Sequence, residues 1–327
     1  LVKAAQAEGS VTLRHQSPIT FTDGIARAFT RQYGIKVDID RRVGALGTQQ
    51  FLMEERAGKH IVDVWWTSDI AGREIAKKEG FLLNHTYPDL KKKFVDGTYD
   101  EGWSYSLWKI NVVIQYNPQL LSHAKAKELF KTWKGLLDPS LKGKFGMTEP
   151  AGGGIPLVTY TMFYQRPEYG RDFFVKLAAQ NPRVYPGSAP GREDLAAGAI
   201  SVFIPNWDSI AMSEFMRGDR TAWTYPEITP SYSSTIIVIS KNAPHPNAAR
   251  LLAQFPMTPE GIKALQVDGC STLKGVEDTR EAISKLKQTD WWKPYPDEIG
   301  WAPSEEYMMK NSDSLIKDMR QILGWKR

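Results

Sequence analysis

The chain has 327 residues, 42% of them hydrophobic and 24% charged, with 26 glycines and 20 prolines. It is too long for one small core and rich enough in apolar residues for two, which points to two compact α/β units and excludes disorder. The net charge of +5 comes from scattered lysines and arginines without a zinc-finger, helix-turn-helix or aromatic RNA-binding signature, which argues against nucleic acid as a partner.

The first hundred residues alternate strand and helix patterns, the signature of a mostly parallel sheet with crossover helices. Residues 11–13 read as a strand. Residues 23–33 place Ile25, Ala28, Phe29 and Tyr33 on one helical face before Gly34 ends the helix, and residues 35–39 form the next strand. A helix is expected over 47–57, a strand over 62–66 and a helix over 70–78 stopped by Gly80. Residues 106–116 form a long strand able to run from one unit into another, and residues 234–240 a second one able to carry the chain back, which together make a hinge. Between them come a helix near 124–130, a strand near 146–147, a helix after Gly154, a strand at 183–185, a helix after Gly191 and a strand over 199–204. The second unit is thus inserted in the first: residues 1–110 and 236–285 make one lobe and 111–235 the other, with the C-terminal helices of 286–327 unassigned.

No apolar stretch approaches the ~20 residues needed to cross a bilayer. The start at Leu1, without an initiator Met, is expected of a mature protein whose signal peptide has been removed. Cys270 has no second cysteine to pair with and no histidine beside it, so it reads as a small buried residue, not a metal ligand or a reactive thiol.

The order of these elements and several short motifs resemble the periplasmic substrate-binding proteins of ABC importers, in the subgroup built like the ferric-ion-binding proteins. The matching pieces are Ala28-Phe29 with Tyr33-Gly34-Ile35-Lys36-Val37, then Asp63-Val64-Trp65-Trp66-Thr67-Ser68-Asp69, then Tyr116-Asn117, and Ala243-Pro244-His245-Pro246-Asn247-Ala248-Ala249 with Met257-Thr258-Pro259-Glu260-Gly261. The resemblance implies a type II periplasmic-binding-protein fold of two lobes, each a mostly parallel sheet flanked by helices and joined by two hinge strands. It further implies an exported, periplasmic monomer that captures a small-molecule ligand by lobe closure and delivers it to a membrane permease, without a cofactor. Members of the subgroup bind ferric iron, polyamines, thiamine, phosphonates or sugar phosphates. The iron binders' adjacent tyrosines correspond here to Pro205-Asn206-Trp207-Asp208, and their histidine and glutamate ligands to Pro18 and Ser68, so the likeness to iron carriers stops at the fold.

Binding sites of such sheets lie beyond the carboxyl ends of the strands. Five strand-to-helix loops are therefore candidates: 14–20 with Arg14, His15, Gln16 and Ser17; 42–48 with Arg42; 67–69 with Thr67, Ser68 and Asp69; 151–154 with Gly152, Gly153 and Gly154; and 206–209 with Asn206, Trp207 and Asp208. Tyr225 and Tyr232 precede the return crossing and join the list. Helix starts present unpaired N–H groups and partial positive charge, which favours an anionic organic ligand bearing phosphate, phosphonate or carboxylate, with Arg14, His15 or Arg42 adding a charge-assisted bond. Asp69 and Asp208 with tryptophans offer the alternative of a cationic amine, polyamine- or thiamine-like. Helix capping alone explains Thr67, Ser68, Asp69 and Asp208 equally well. The glycine triplet lacks the Lys-Ser/Thr ending of a nucleotide-binding loop.

Catalysis finds little support. There is no Gly-x-Ser-x-Gly elbow and no His-Glu-x-x-His, and the histidines His15, His60, His85, His123 and His245 stand apart. A glycosidase-type hydrolase needs only two carboxylates brought together by the fold and stays as the enzymatic alternative. The tail, from Trp291-Trp292 to the end, holds Leu315, Ile316, Met319 and Ile322 at helical spacing, which predicts a helix docked on a lobe in preference to a free arm.

Overall fold

Parallel neighbours in a sheet can be joined only by a crossover, usually a helix, and the computed structural model shows that arrangement twice. It describes every residue except 17–18, 43–44, 93, 95–98, 153, 266–269, 272–280, 295–304 and 325–327. The strands are β1 (Ser10–His15), β2 (Lys36–Arg41), β3 (Val64–Thr67), β4 (Tyr99–Asp100), β5 (Ser104–Tyr116), β6 (Phe145–Thr148), β7 (Arg183–Tyr185), β8 (Val202–Trp207), β9 (Ala222–Thr224), β10 (Ser231–Ile239) and β11 (Cys270–Ser271). The chain divides into a first unit, Leu1–Lys109 with Ser233–Arg280, and a second, Ile110–Tyr232 with Glu281–Arg327. It therefore passes from one unit to the other inside β5 and returns inside β10.

In the first unit the order is β2-β1-β3-β10-β5. β1 is parallel to β2 and β3, whereas β10 is antiparallel to β3. Helices Ile19–Tyr33, Ala45–Arg56 and Ile70–Lys78 follow the three parallel strands in turn. One side of the sheet is sealed by Phe51, stacked on Trp65 at 4.7 Å, together with Leu52, Val62, Ile236 and Val238. Asp63, fully buried, accepts the backbone N–H groups of Thr12 and His245, both at 2.7 Å, and pairs with His245 Nδ1 at 2.9 Å. One carboxylate thereby ties the segment before β3 to β1 and to the start of helix Pro246–Gln254, whose first residue is a proline set for helix.

The second unit repeats the pattern with other strands. β6 is parallel to β7 and β8, and β5 is antiparallel to β8 and to β9, so the order β7-β6-β8-β5 mirrors β2-β1-β3-β10. Its core gathers Trp133, Phe145, Tyr160, Phe163 and Phe174 with Leu315 and Met319 of the C-terminal helix Glu305–Leu323. That helix is further fixed by Tyr164, which donates to Asp318 at 2.7 Å, and by Arg171, paired with the same carboxylate at 3.1 Å. Trp291 packs edge-on against Trp223 and stacks on His123. The segment left unassigned by the sequence thus belongs to the second unit, and residues 281–285 go with it.

Several expected boundaries shift. Helix Ser188–Ala197 does not begin after Gly191 but contains it; the glycine serves close helix–strand packing, since a Cβ there would lie 2.1 Å from the Phe203 ring. Helix Val2–Glu8 carries no strong pattern and was not anticipated; it lies against helix Pro246–Gln254. The side chain of Cys270 lies outside the described residues. Among the described residues no helix is long and apolar enough to cross a membrane.

Glu8 carries the clearest stability prediction. Its carboxylate accepts from Asn247 N, Asn247 Nδ2 and Ala248 N, capping a helix distant in sequence. Burial raises its pKa, but the hydrogen bonds from Ala248 and Asn247 and the charge of His245 outweigh it, so the group sits below the usual carboxylate range. A depressed carboxylate adds stability above its unfolded pKa and loses it as pH falls through the folded one. Glu8→Gln is expected to lower stability by about 1 kcal/mol at neutral pH, with a gap from wild type that closes on acidification. Thermal melts from pH 7 to pH 3 check this; a gap that is absent at neutral pH, or constant throughout, contradicts it.

Candidate functional site

The carboxyl ends of β2, β1 and β3 lie on one edge, since His15 is in register with both Arg41 and Trp66. The strands themselves run further than the sequence suggests. β1 continues through Arg14 and His15, so neither is a loop residue. Arg14 is 1% exposed and paired with Asp40 at 2.6 Å and Glu54 at 2.7 Å. Burial raises the Asp40 carboxyl, but Arg14, and after it Arg42, hold it below its ordinary value. This side chain joins β1, β2 and helix Ala45–Arg56, and a role for Arg14 in ligand charge recognition gives way to that one. His15 is likewise buried, with Nε2 3.2 Å from Thr22 Oγ1 on the covering helix.

What remains at this edge is polar and mostly neutral. Gln16 donates to Ser68 Oγ at 2.5 Å, bridging the loops after β1 and β3. Thr67 accepts the N–H of Asp69, and Asp69 caps helix Ile70–Lys78 by accepting from Gly72 N at 2.9 Å. Asp69 is thus the cap of that helix, and Thr67 supports it from the end of β3. Arg42 is exposed and leans on Asp40 at 2.7 Å. Ser17 lies outside the described residues.

The second unit has the matching edge at the ends of β7, β6 and β8. β8 extends through Trp207 and helix Asp208–Arg217 starts at once, so no loop separates Asn206 from Ser209. Asp208 is buried rather than open: it accepts from Asn111 Nδ2 at 2.7 Å, Ser209 N at 2.9 Å and the Tyr225 hydroxyl at 3.4 Å. Ser231 donates to Asn111 Oδ1 at 2.6 Å and extends the row. Near the end of β8, Asn206 donates to Gln115, which donates in turn to Glu214. Asn206 Oδ1 is buried without a partner among the described residues. Burial pushes the Glu214 carboxyl above its ordinary value, against Gln115, Arg192 and Arg217. Trp207 is half-buried, with part of its indole against the core and part accessible.

The structure thus brings Asn206, Trp207, Asp208 and Tyr225 together, and Gln16, Thr67, Ser68 and Asp69 together. Gly152 and Gly154 flank the start of helix Gly154–Gln165 at the end of β6, whereas Gly153 and the side chain of Tyr232 lie outside the described set. Sequence reading missed Asn111, Gln115 and Ser231. The signal for the first two was present: polar residues inside an apolar strand require partners. Among the described residues no three His, Cys, Asp or Glu side chains are close enough to hold a metal ion.

The family described as bacterial extracellular solute-binding protein matches residues 24–281. No curated protein matches the chain significantly. Solved structures with the same fold include iron-bound HitA from Pseudomonas aeruginosa, 20% identical, covering 95% of this chain and 99% of that one, with a TM-score of 0.68. Others are the Trichodesmium protein IdiA (FutA) with iron and citrate, 17% identical over 97% and 100%, TM-score 0.71, and the periplasmic binding protein AfuA from Actinobacillus pleuropneumoniae with fructose-6-phosphate, 18% identical over 97% and 99%, TM-score 0.61. At these identities the likeness fixes the fold, an α/β periplasmic-binding-protein architecture.

Removing Arg14 tests its internal role. Arg14→Ala leaves Asp40 with Arg42 and Glu54 with Gln50 and is expected to cost about 3 kcal/mol of stability, read as a lowered denaturation midpoint. A midpoint equal to wild type would return Arg14 to the list of residues free to bind.

Proposed function

This chain belongs to the family of bacterial extracellular solute-binding proteins, and from that premise we propose that it is the periplasmic solute-binding component of an ABC importer. It delivers its solute to a membrane permease as a monomer, and the solute is a small organic anion bearing phosphate, phosphonate or carboxylate groups. Family membership makes its role that of a binder and not of an enzyme.

The observation that carries the anion reading is the repeated edge. In each unit three parallel strands end together and a helix starts after each, so the positive ends of helix dipoles collect there. Neutral donors stand beside them: Gln16 and Ser68 in one unit, Thr148 and Ser188 in the other. Among the relatives by fold, AfuA was determined with a sugar phosphate bound, a ligand of this chemical class. A cationic amine would need an open carboxylate, whereas Asp69 and Asp208 both receive hydrogen bonds from their own chain.

A melting screen with sugar phosphates, phosphonates, di- and tricarboxylates, polyamines, thiamine and ferric iron tests the class. A ligand present at 100 times its dissociation constant stabilises by about 2.7 kcal/mol, and that rise is expected with an anionic compound alone. A rise with polyamines or thiamine, or none with any anion, contradicts the proposal. Trp207→Ala is expected to weaken binding of the stabilising anion several-fold, about 1 kcal/mol for the lost aromatic wall; unchanged affinity in a titration removes Trp207 from the site.

A further inference from the structure

We propose that Arg320, delivered by the C-terminal helix, is the cation of the solute site in the second unit, and that Glu149 holds it until an anionic group displaces that carboxylate. The inference rests on the anion reading above and names the residue that answers the anion's charge.

Position is the first argument. Glu149 directly follows β6, the middle parallel strand, and its N–H donates to Tyr185 O at 2.9 Å, which sets it at the end of β7 as well. Beside it, Thr148 Oγ1 and Ser188 Oγ are 3.2 Å apart. Ser188 opens helix Ser188–Ala197, which has no side-chain cap and no acidic residue in its first turn. Arg320 thus meets the residue that follows β6, and the Thr148–Ser188 hydroxyl pair and an uncapped helix start lie at the ends of β6 and its neighbour β7. Its backbone is fixed there by the burial of Leu315 and Met319 and by the bonds of Asp318 to Tyr164 and Arg171.

The second argument is the state of the ion pair. Arg320 Nη2 lies 3.6 Å from Glu149 Oε2, beyond hydrogen-bond distance, and the two side chains are 31% and 23% exposed. Arg14 is the contrast within the same protein: 1% exposed and in direct contact with two carboxylates. Arg14 is closed to any solute, whereas Arg320 is accessible and its donors are not consumed by Glu149. A guanidinium presents a planar fork that matches phosphate or carboxylate in bidentate fashion. Glu149 then acts as an internal competitor, neutralising Arg320 in the empty protein and opposing any anion that arrives.

Substitutions of the two partners are expected to have opposite effects. Calorimetric titration of wild type, Glu149→Gln, Arg320→Gln and Arg320→Lys with fructose 6-phosphate and with citrate, alongside melting of each unliganded protein, reads them out. Expected are binding of at least one probe by wild type, affinity raised several-fold in Glu149→Gln and lowered about tenfold in Arg320→Gln, an intermediate value for Arg320→Lys, and unliganded melting close to wild type, as for most exposed pairs. If wild type binds and neither Glu149→Gln nor Arg320→Gln changes affinity, the inference falls and the anion reading survives. If both variants bind more weakly and melt lower, the pair is a staple for the C-terminal helix, and the inference falls likewise. If wild type binds neither probe, this inference falls, while the anion reading is decided by the wider melting screen.

Discussion

A strand can lie parallel to its neighbour only if the chain returns to the starting edge between them, and that requirement organises both units. It places the end of every parallel strand, and every helix start that follows one, on one edge of its unit's sheet. In the first unit the edge belongs to β2, β1 and β3, in the second to β7, β6 and β8. Each trio is then closed on one side by an antiparallel strand from a distant part of the sequence, β10 for the first and β5 for the second. The site chemistry follows from this placement, because backbone amides are supplied by topology and side chains need only tune them.

Charge at these edges divides into groups that build the protein and groups left to meet a solute. Arg14 with Asp40 and Glu54, and Asp208 with Asn111 and Tyr225, form largely buried networks that hold their own members. Such networks are costly to break and fix which strand lies beside which. The groups that stay accessible are neutral donors, the rim residue Arg42 and the loosely held Arg320. A site of that composition suits an anion whose charge is met mainly by dipoles and one or two guanidinium groups, with few carboxylates to attract a metal or an amine.

The α/β class, the order of helices and strands and the family were legible from periodicity and short motifs. Helix Ile70–Lys78 and strand Arg183–Tyr185 have the bounds that their patterns predict. The ends of β1 and β8 were not legible, because what keeps Arg14, His15, Asn206 and Trp207 extended is pairing with strands far along the chain. For the same reason Arg14 resembled a free cation: its partners Asp40 and Glu54 meet it only after β2 and the next helix have packed. Asn111 and Gln115 did announce themselves as polar residues in an apolar strand, while their partners Ser231 and Glu214 could be found only in three dimensions. The pairing of Glu149 with Arg320 is the extreme case, since it depends on where the last helix docks.

The reading proposed for this protein is that a strand-end edge takes up a small organic anion. Native mass spectrometry of protein purified without added solute, followed by release and identification of whatever it carries, addresses that claim most directly. A released compound with a phosphate, phosphonate or carboxylate group at a ratio of one per chain is expected. A released polyamine, thiamine or bare ferric ion at that ratio would contradict it.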